Sequence, residues 1–361
     1  MIVSTILAFI VFFMVLNFAA LHTWIERKQS AVMQDRIGAN RAYIKLPWKW
    51  AAPINFLLRP LNMLGLFHPL ADAIKMFMKE DYIPPYGDKF LHTLAPFLSM
   101  TFALAGFAVI PFGDVLVVKG QEINLQAASI NVGLLYIFAV MSMGVYGVVL
   151  AGFSSNSNYA FLGGMRASSQ MLAYEITLGL TILGVVMIYG TLDLQQMVRA
   201  QQNVWGIFLQ PLGLLLFLAA GLAETKRIPY DIPEGESEIV GYFAEYSGMK
   251  FGMFFFTDFI ETILIAALAT TFFLGGWQVP FLMRDGFHFG ANVMPLAQGL
   301  VAALQIFSYS LKVLFFCWLF MTIRWTLPRF RYDQLMDLGW KNIFPLALAN
   351  LVLTAAVLLF F

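Results

Sequence analysis

The sequence predicts an all-α polytopic membrane protein with eight transmembrane helices and its N-terminus outside, and three observations predict it. The 361 residues are 60% hydrophobic and 12% charged, with a mean hydropathy of +0.75, whereas soluble domains are about 25% charged. Eight apolar runs approach the roughly 20 residues that a bilayer crossing needs: about 1–25, 91–111, 131–152, 169–189, 206–224, 251–274, 300–324 and 341–361. With the N-terminus outside, the inner loops carry 18 Lys and Arg residues, the outer loops carry three (Lys119, Arg199 and Arg284), and Lys312 lies inside a span. That asymmetry is the positive-inside signal. The whole chain, 1–361, then reads as a single membrane domain.

The first run lacks a basic leader and a small-residue cleavage site, and reads as a retained helix. The loop after it is the longest. It opens on a dense charged run with Glu26, Arg27, Lys28, Asp35, Arg36 and Arg41. Trp48 and Trp50 then precede residues 53–67, apolar but too short and Pro-interrupted to span, so this part is expected to lie in the interface with its tryptophans at headgroup level. Residues 68–81, HPLADAIKMFMKED, place Asp72, Lys75 and Lys79 at i, i+3 and i+7 on one helix face. Spacing alone favours an amphipathic surface helix with an intrahelical Asp72–Lys75 pair over a ligand site. The segment 48–81 is thus an interfacial, amphipathic stretch. Residues 154–164, SSNSNYAFLGG, read as an ordinary helix connection.

Four carboxylates fall inside spans: Glu175, Glu224, Asp258 and Glu261. With the orientation above they share the inner half or the middle of the membrane. A carboxylate in hydrocarbon costs at least ~3 kcal/mol on insertion scales, so such residues face a bundle interior or a water path and exchange protons. Lys312, near mid-depth of the seventh span, is the candidate partner charge. One paired acid would be as well explained by structure as by function; four at one depth favour a proton or cation path. They lead into an acidic inner loop, 225–250. The stretch 224–251 carries six of the chain's 21 acids, Glu224, Asp231, Glu234, Glu236, Glu238 and Glu245. Asp231-Ile232-Pro233-Glu234 reads as a capping box at a helix start, which leaves Glu236, Glu238 and Glu245 unexplained.

Other chemistry is scarce. The single cysteine, Cys317, allows neither an internal disulfide nor a cysteine-ligated cluster. No two of His22, His68, His92 and His288 stand at helical spacing within one span, as a bis-histidine haem would need. There is no phosphate-binding glycine loop, dinucleotide fingerprint or nucleophile elbow, and a net charge of +1 gives no argument for nucleic acid. Any redox cofactor is expected on a partner.

Five stretches carry a resemblance: ERKQSAVMQDRIGANR (26–41), HPLADAIKMFMKED (68–81), NYAFLGGMRASSQMLAYE (158–175), AETKRIPYDIPEGESE with AEYSGMKF (223–251), and RYDQLMDLGWK (331–341). Through them the chain resembles the NADH dehydrogenase (quinone) H-subunit family, known as subunit 1 in mitochondria, the heel membrane component of respiratory complex I. The resemblance implies a multi-pass protein, expected in a bacterial cell inner membrane. It would join the other membrane-arm subunits to the quinone-site subunits of a peripheral arm that carries FMN and iron–sulfur clusters, and would bind no cofactor itself. It implies a tunnel for quinone framed by the first span, the amphipathic helix and the span next to the acidic loop. Arg27, Arg36, Asp72, Arg227, Asp231, Glu234, Glu236 and Glu238 carry over as lining or gating that chamber, with Glu245 the weakest transfer. Glu175 and Glu224 carry over as the start of a buried carboxylate path, and Asp258 as an acidic position of less defined duty.

The chain also departs from the family pattern. Residues 43–67 are longer than the usual connection, Ser142 stands where some members have a third-span glutamate, and Glu261 occupies a position not usually acidic. Between Glu238 and Glu245 the chain is one residue short, which on a helix would turn Glu245 by about 100°. The alternatives left open are a homologous component of a ferredoxin- or other donor-fed dehydrogenase or membrane-bound hydrogenase, a stand-alone proton-coupled transporter, and a purely structural anchor. Against the transporter, the sequence has no internal repeat or pair of broken spans.

Overall fold

The computed structural model describes residues 2–48, 52–118, 121–233, 235, 241–284, 286–289 and 292–360. Trp50, Lys119, Glu234, Glu236 and Glu238 lie outside them. Among the described residues, seven helices are long and apolar enough to cross a membrane, which makes the chain a multi-pass, mostly helical membrane protein. They are α1 (Ile2–Met33), α4 (Lys89–Ala105, extended by a 3-10 turn over Gly106–Val109), α5 (Gly133–Ser154), α6 (Asn158–Tyr189), α10 (Gly248–Phe273), α11 (Gln298–Thr326) and a last helix running through α12 (Tyr332–Asp337), a π-helical stretch (Leu338–Ile343) and α13 (Phe344–Phe360). The run 206–224 differs from a single span. It forms α8 (Gly206–Leu209) and α9 (Pro211–Glu224), because Gln210 leaves the helical region at φ −138° and ψ 65°, and Pro211 at the first position of α9 has no N–H to continue the ladder. Alone, the 14 residues of α9 reach about 21 Å.

Helix ends follow local chemistry. Asp88 caps α4, accepting from the amides of Phe90 and Leu91. Gly190 closes α6 in the left-handed conformation at φ 65°. The 154–164 stretch is mostly not a connection: α5 ends at Ser154 and α6 begins at Asn158, leaving three residues between them. At Gly163 the backbone of Gly241 and Tyr242 comes to 3.0 Å of where a Cβ would stand, so the end of the acidic loop seats directly on α6.

The segment between α1 and α4 holds two amphipathic helices, α2 (Ala52–Leu64) and α3 (His68–Met78), neither with a buried residue. The extended chain 42–46 lies along α2, held by side chains acting as a sheet edge would. Asn62 exchanges two hydrogen bonds with Ile44 (3.0 and 3.1 Å), Asn55 exchanges two with Leu46 (both 3.0 Å), and His68 Nε2 accepts from Ala42 N. Trp24 Nε1 of α1 donates to Leu64 O at 2.9 Å. Trp48 is exposed.

α10 is the most enclosed span, with 72% of its apolar stretch buried against 17% for α1; α1 therefore lies at the edge of the bundle while α10 runs through the core. It packs on α1, α3, α4, α9 and α11, and on the far side α6 packs on α5, α9 and α13. Two small antiparallel sheets interrupt the helices: β1 (Val115–Val118) with β2 (Gln121–Asn124), and a meander of β3 (Leu282–Met283), β4 (Gly286–Phe289) and β5 (Asn292–Pro295). Both stand at one end of the bundle, where Asp114, just before β1, accepts from Arg199 of the short helix α7 (Leu194–Ala200) and from Arg284, between β3 and β4. The charged loops meet at the other end, where Glu26 pairs with Arg227 and Arg324.

Candidate functional site

At that charged end α1, α3 and α10 come together around a recess of about 420 Å³. α1 contributes Thr23, Glu26, Arg27 and Ser30; the chain 36–41 contributes Arg36 and Arg41; α10 contributes Phe255 and Phe259. Gly65, at φ +73°, allows the end of α2 to press on this wall: a Cβ there would stand 2.0 Å from Ala39 O. One side of the recess is thus cationic and the other aromatic.

Glu26, 7% exposed, anchors the cationic side. It accepts from Arg227 Nη1 at 3.0 Å and forms an ion pair with Arg324 Nη1 at 2.5 Å. Arg227 also lies 3.9 Å from the centroid of the Phe259 ring, a cation–π contact inside a desolvated wall. Arg27 pairs with Asp72 at 2.5 Å. This corrects the expected Asp72–Lys75 pair. The carboxylate of Asp72 reaches across to α1, where a planar guanidinium offers a better match than an ammonium one turn along the same exposed helix. Arg36 lines the recess and bonds Gln34.

Beside the recess the chain turns through 224–229. Gln170 of α6 fixes both ends of the turn, donating to Ala223 O (2.7 Å) and Tyr230 O (2.8 Å). Lys226 stands here in the left-handed region at φ 54°, an uncommon place for a side-chain-bearing residue. Consecutive side chains consequently diverge. Arg227 reaches Glu26, while Lys226, 3% exposed, reaches α10 and sits 3.1 Å from Asp258 Oδ1 and 3.2 Å from Glu261 Oε2. These are ion pairs off hydrogen-bonding directions: Nζ, Oδ1 and Oε2 form no aligned hydrogen bond.

Glu224, 3% exposed, follows. The charges of both Glu175 and Glu261 act on it, it shares a narrow gap with Glu261 between α4, α5, α6 and α10, and its Oε2 has no hydrogen-bond partner. Glu175 is hydrogen-bonded by Ser142 Oγ of α5. Three of the four intramembrane acids therefore gather around Lys226 and Glu224, and Glu175 closes the row.

Lys312 is not their partner. Its ammonium donates to Leu274 O (2.8 Å), Gly276 O (3.0 Å) and Gln278 O (2.7 Å), at the opposite end of α10, and lies 4.6 Å from the Trp205 ring centroid. Carbonyls at a helix C-terminus lack intrahelical donors and carry partial negative charge, which makes them the site for a cation. The expected capping box runs from Asp231 to Glu234, which lies outside the described residues; Ile232 and Pro233 are not helical, and buried Asp231 pairs with Arg329 at 3.0 Å while Tyr230 stacks on Phe330. The expected rotation of Glu245 rests on residues 236–240, which lie outside the described residues; Glu245 itself lies half-buried in the turn over 242–245.

Glu26, Lys226, Phe255, Phe259 and Arg324 were not among the expected site residues. Lys226 had a signal, since Asp258 and Glu261 at i, i+3 present two acids on one helix face and call for a nearby cation. Glu26 lay hidden in a run of charges that reads as solvated.

A helical bundle with a charged, aromatic-walled recess at one end and acids buried among its spans is that of a polytopic membrane protein with ionisable groups inside it. The particular family is explicit: residues 5–355 match the model of the NADH dehydrogenase family, and the chain belongs to that family. It is 44% identical to the second of the NADH-quinone oxidoreductase H subunits of Geobacter sulfurreducens, over 97% of this chain and 95% of that protein. It is 42% identical to the first of those of Cytophaga hutchinsonii (99% and 97%) and 41% identical to that of Thermomicrobium roseum (99% and 96%).

Proposed function

We propose that the chain is the quinone-chamber membrane subunit of a proton-translocating NADH:quinone oxidoreductase. In this reading the recess between α1, α3 and α10 receives the quinone head, with Phe255 and Phe259 against the ring and Arg27, Arg36 and Arg227 beside it. Asp72 holds Arg27 and Asp231 holds Arg329, and the resemblance assigns Glu234, Glu236, Glu238 and Glu245 to lining or gating the chamber. A change of charge at the quinone then passes through the paired Glu26–Arg227 and Lys226–Asp258–Glu261 groups to Glu224 and Glu175, and sideways into neighbouring membrane-arm subunits. FMN and the iron–sulfur clusters belong to partners. The observation that carries the reading is the turn 224–229, which puts adjacent residues of one short segment into the recess wall and into the acid cluster.

The topology supports eight crossings in a single membrane domain. α9 begins at the end of the bundle that holds Asp114 and finishes at the end that holds Glu26, so with α8 it traverses the protein although it is short. The Lys and Arg asymmetry supports an outside N-terminus, and the names and bacterial sources of the relatives support the inner membrane as location and NADH as donor.

The test is Glu224→Gln in the assembled complex. Coupled quinone reductase activity should fall while NADH oxidation by an artificial acceptor at the flavin is unchanged. Unaltered quinone activity and pumping would remove Glu224 from the path.

A further inference from the structure

The 42–64 hairpin beside α1 is built inside out. On an α-helix Asn55, Arg59 and Asn62 fall on one side, and the two asparagines of that stripe turn onto the extended chain, where each exchanges two hydrogen bonds with its backbone, at Leu46 and at Ile44. The face of α2 that meets protein is thus its polar one. The other faces are apolar and open: Phe56, Leu57 and Met63 are 73%, 72% and 71% exposed, and no residue of the helix is buried. A helix packed on a core in water turns such a stripe inward. α2 leaves it uncovered.

Charge and depth say what covers it. From Arg36 to Ala71 the sequence holds Arg36, Arg41, Lys45, Lys49 and Arg59 and no acid. Lys45 and Arg59 are exposed, and neither has a hydrogen bond or ion pair to another described residue. Large apolar side chains on one face, basic residues beside them and no acids are the composition of a helix that lies in a membrane interface and is drawn to anionic lipid. The hairpin is also fixed at that depth. Trp24 Nε1 of α1 donates to Leu64 O at 2.9 Å, and Trp24 stands at the end of the first apolar run, two residues before Glu26, where a span leaves the hydrocarbon and tryptophans collect.

We propose that the 42–64 hairpin is a site for anionic membrane phospholipid, with Phe56, Leu57 and Met63 among the acyl chains and Lys45 and Arg59 on the headgroups. Apolarity alone places residues 53–67 in the interface; the asparagine pairs decide which face meets lipid, and the lack of acids decides which lipid. The site does not depend on what occupies the recess between α1, α3 and α10.

In the test the intact complex is reconstituted into phosphatidylcholine vesicles that contain a small fraction of either phosphatidylglycerol or phosphatidylcholine with a photoreactive diazirine in the acyl chain, and adducts are mapped by mass spectrometry. Phe56, Leu57 and Met63 should be labelled and Asn55 and Asn62 spared, with phosphatidylglycerol giving the higher yield. Lys45→Gln and Arg59→Gln should each lower the phosphatidylglycerol yield about fivefold, the effect of one basic charge at a membrane surface, and leave labelling by phosphatidylcholine unchanged. Neither side chain bonds another described residue, so both variants should assemble as the parent does. No adducts over 53–64 while spans elsewhere in the complex are labelled, as immersion in water or cover by another subunit would give, would overturn the proposal. So would equal yields from the two lipids, or a phosphatidylglycerol yield that both substitutions leave unmoved.

Discussion

Replacing Lys226 with glycine separates its two roles. The residue ends α9 in the left-handed region at φ 54°, where glycine is the usual occupant and a side chain costs about 1–2 kcal/mol of backbone energy. If Lys226 only terminated a helix, Lys226→Gly would stabilise the protein. Its ammonium, however, lies 3.1 Å from Asp258 and 3.2 Å from Glu261 and is almost wholly buried. Each contact is worth about 5 kcal/mol of Coulomb attraction at an effective dielectric near 20, before desolvation is subtracted. Breaking such a pair by removing one partner costs about 3–5 kcal/mol, because the remaining charge stays buried. Subtracting the backbone relief leaves a net loss of roughly 1–4 kcal/mol. The assay is the thermal inactivation midpoint of the purified complex, together with the amount of complex assembled in membranes. The triple variant Lys226→Gly, Asp258→Asn, Glu261→Gln, which removes all three charges, should recover most of the loss, as a coupled cluster requires. A single variant as stable as the parent, or a triple variant worse than the single, would refute the reasoning.

Three further outcomes follow from other contacts. Burial alone would push the Asp114 carboxyl up, but hydrogen bonds from Arg284 and Arg199 and their charges outweigh it and hold the group below the usual carboxylate range. A depressed folded value means that the contribution is complete above the unfolded pKa of about 3.9 and is lost as pH falls through the folded one, so Asp114→Asn should lower the melting temperature at neutral pH and the gap should close in acid. Asn55→Ala removes both bonds to Leu46; exchange of the Leu46 amide, followed by mass spectrometry, should speed up about five- to thirtyfold, equivalent to about 1–2 kcal/mol. Lys312→Met strips the donor from three carbonyls and should cost about 1–3 kcal/mol, read as a lower melting temperature with the artificial-acceptor activity per assembled complex unchanged.

Hydropathy located the helices because a bilayer makes length and apolarity the governing variables. Where it misjudged, a local group had intervened: Pro211 and the non-helical Gln210 broke the run 206–224, and Asn158 began α6 eleven residues before the hydrophobic run of the fourth span. Intramembrane acids were visible one by one, since each is expensive in lipid. Their partners were not, because pairing is a matter of which turn faces which helix. Lys312 lies in a span and looked suited to neutralise an acid, yet it serves the carbonyl end of α10; Lys226 sits in a loop and performs that task. Asp72 likewise had an ideal spacing to Lys75 and chose Arg27. Sequence spacing reports which groups can meet on one helix, whereas the strongest ion pairs here join different elements.

Ser142 Oγ lies within reach of both Phe138 O, at 3.0 Å, and Glu175 Oε1. A hydroxyl has one proton to donate, so it serves one of these two oxygens at a time. On the other side of Glu224, Glu261 stands 3.2 Å from Lys226, whose neighbour in the chain, Arg227, pairs with Glu26 in the wall of the recess. One short turn thus ties the acids of α10 to the recess, whereas Glu175 is held from α5.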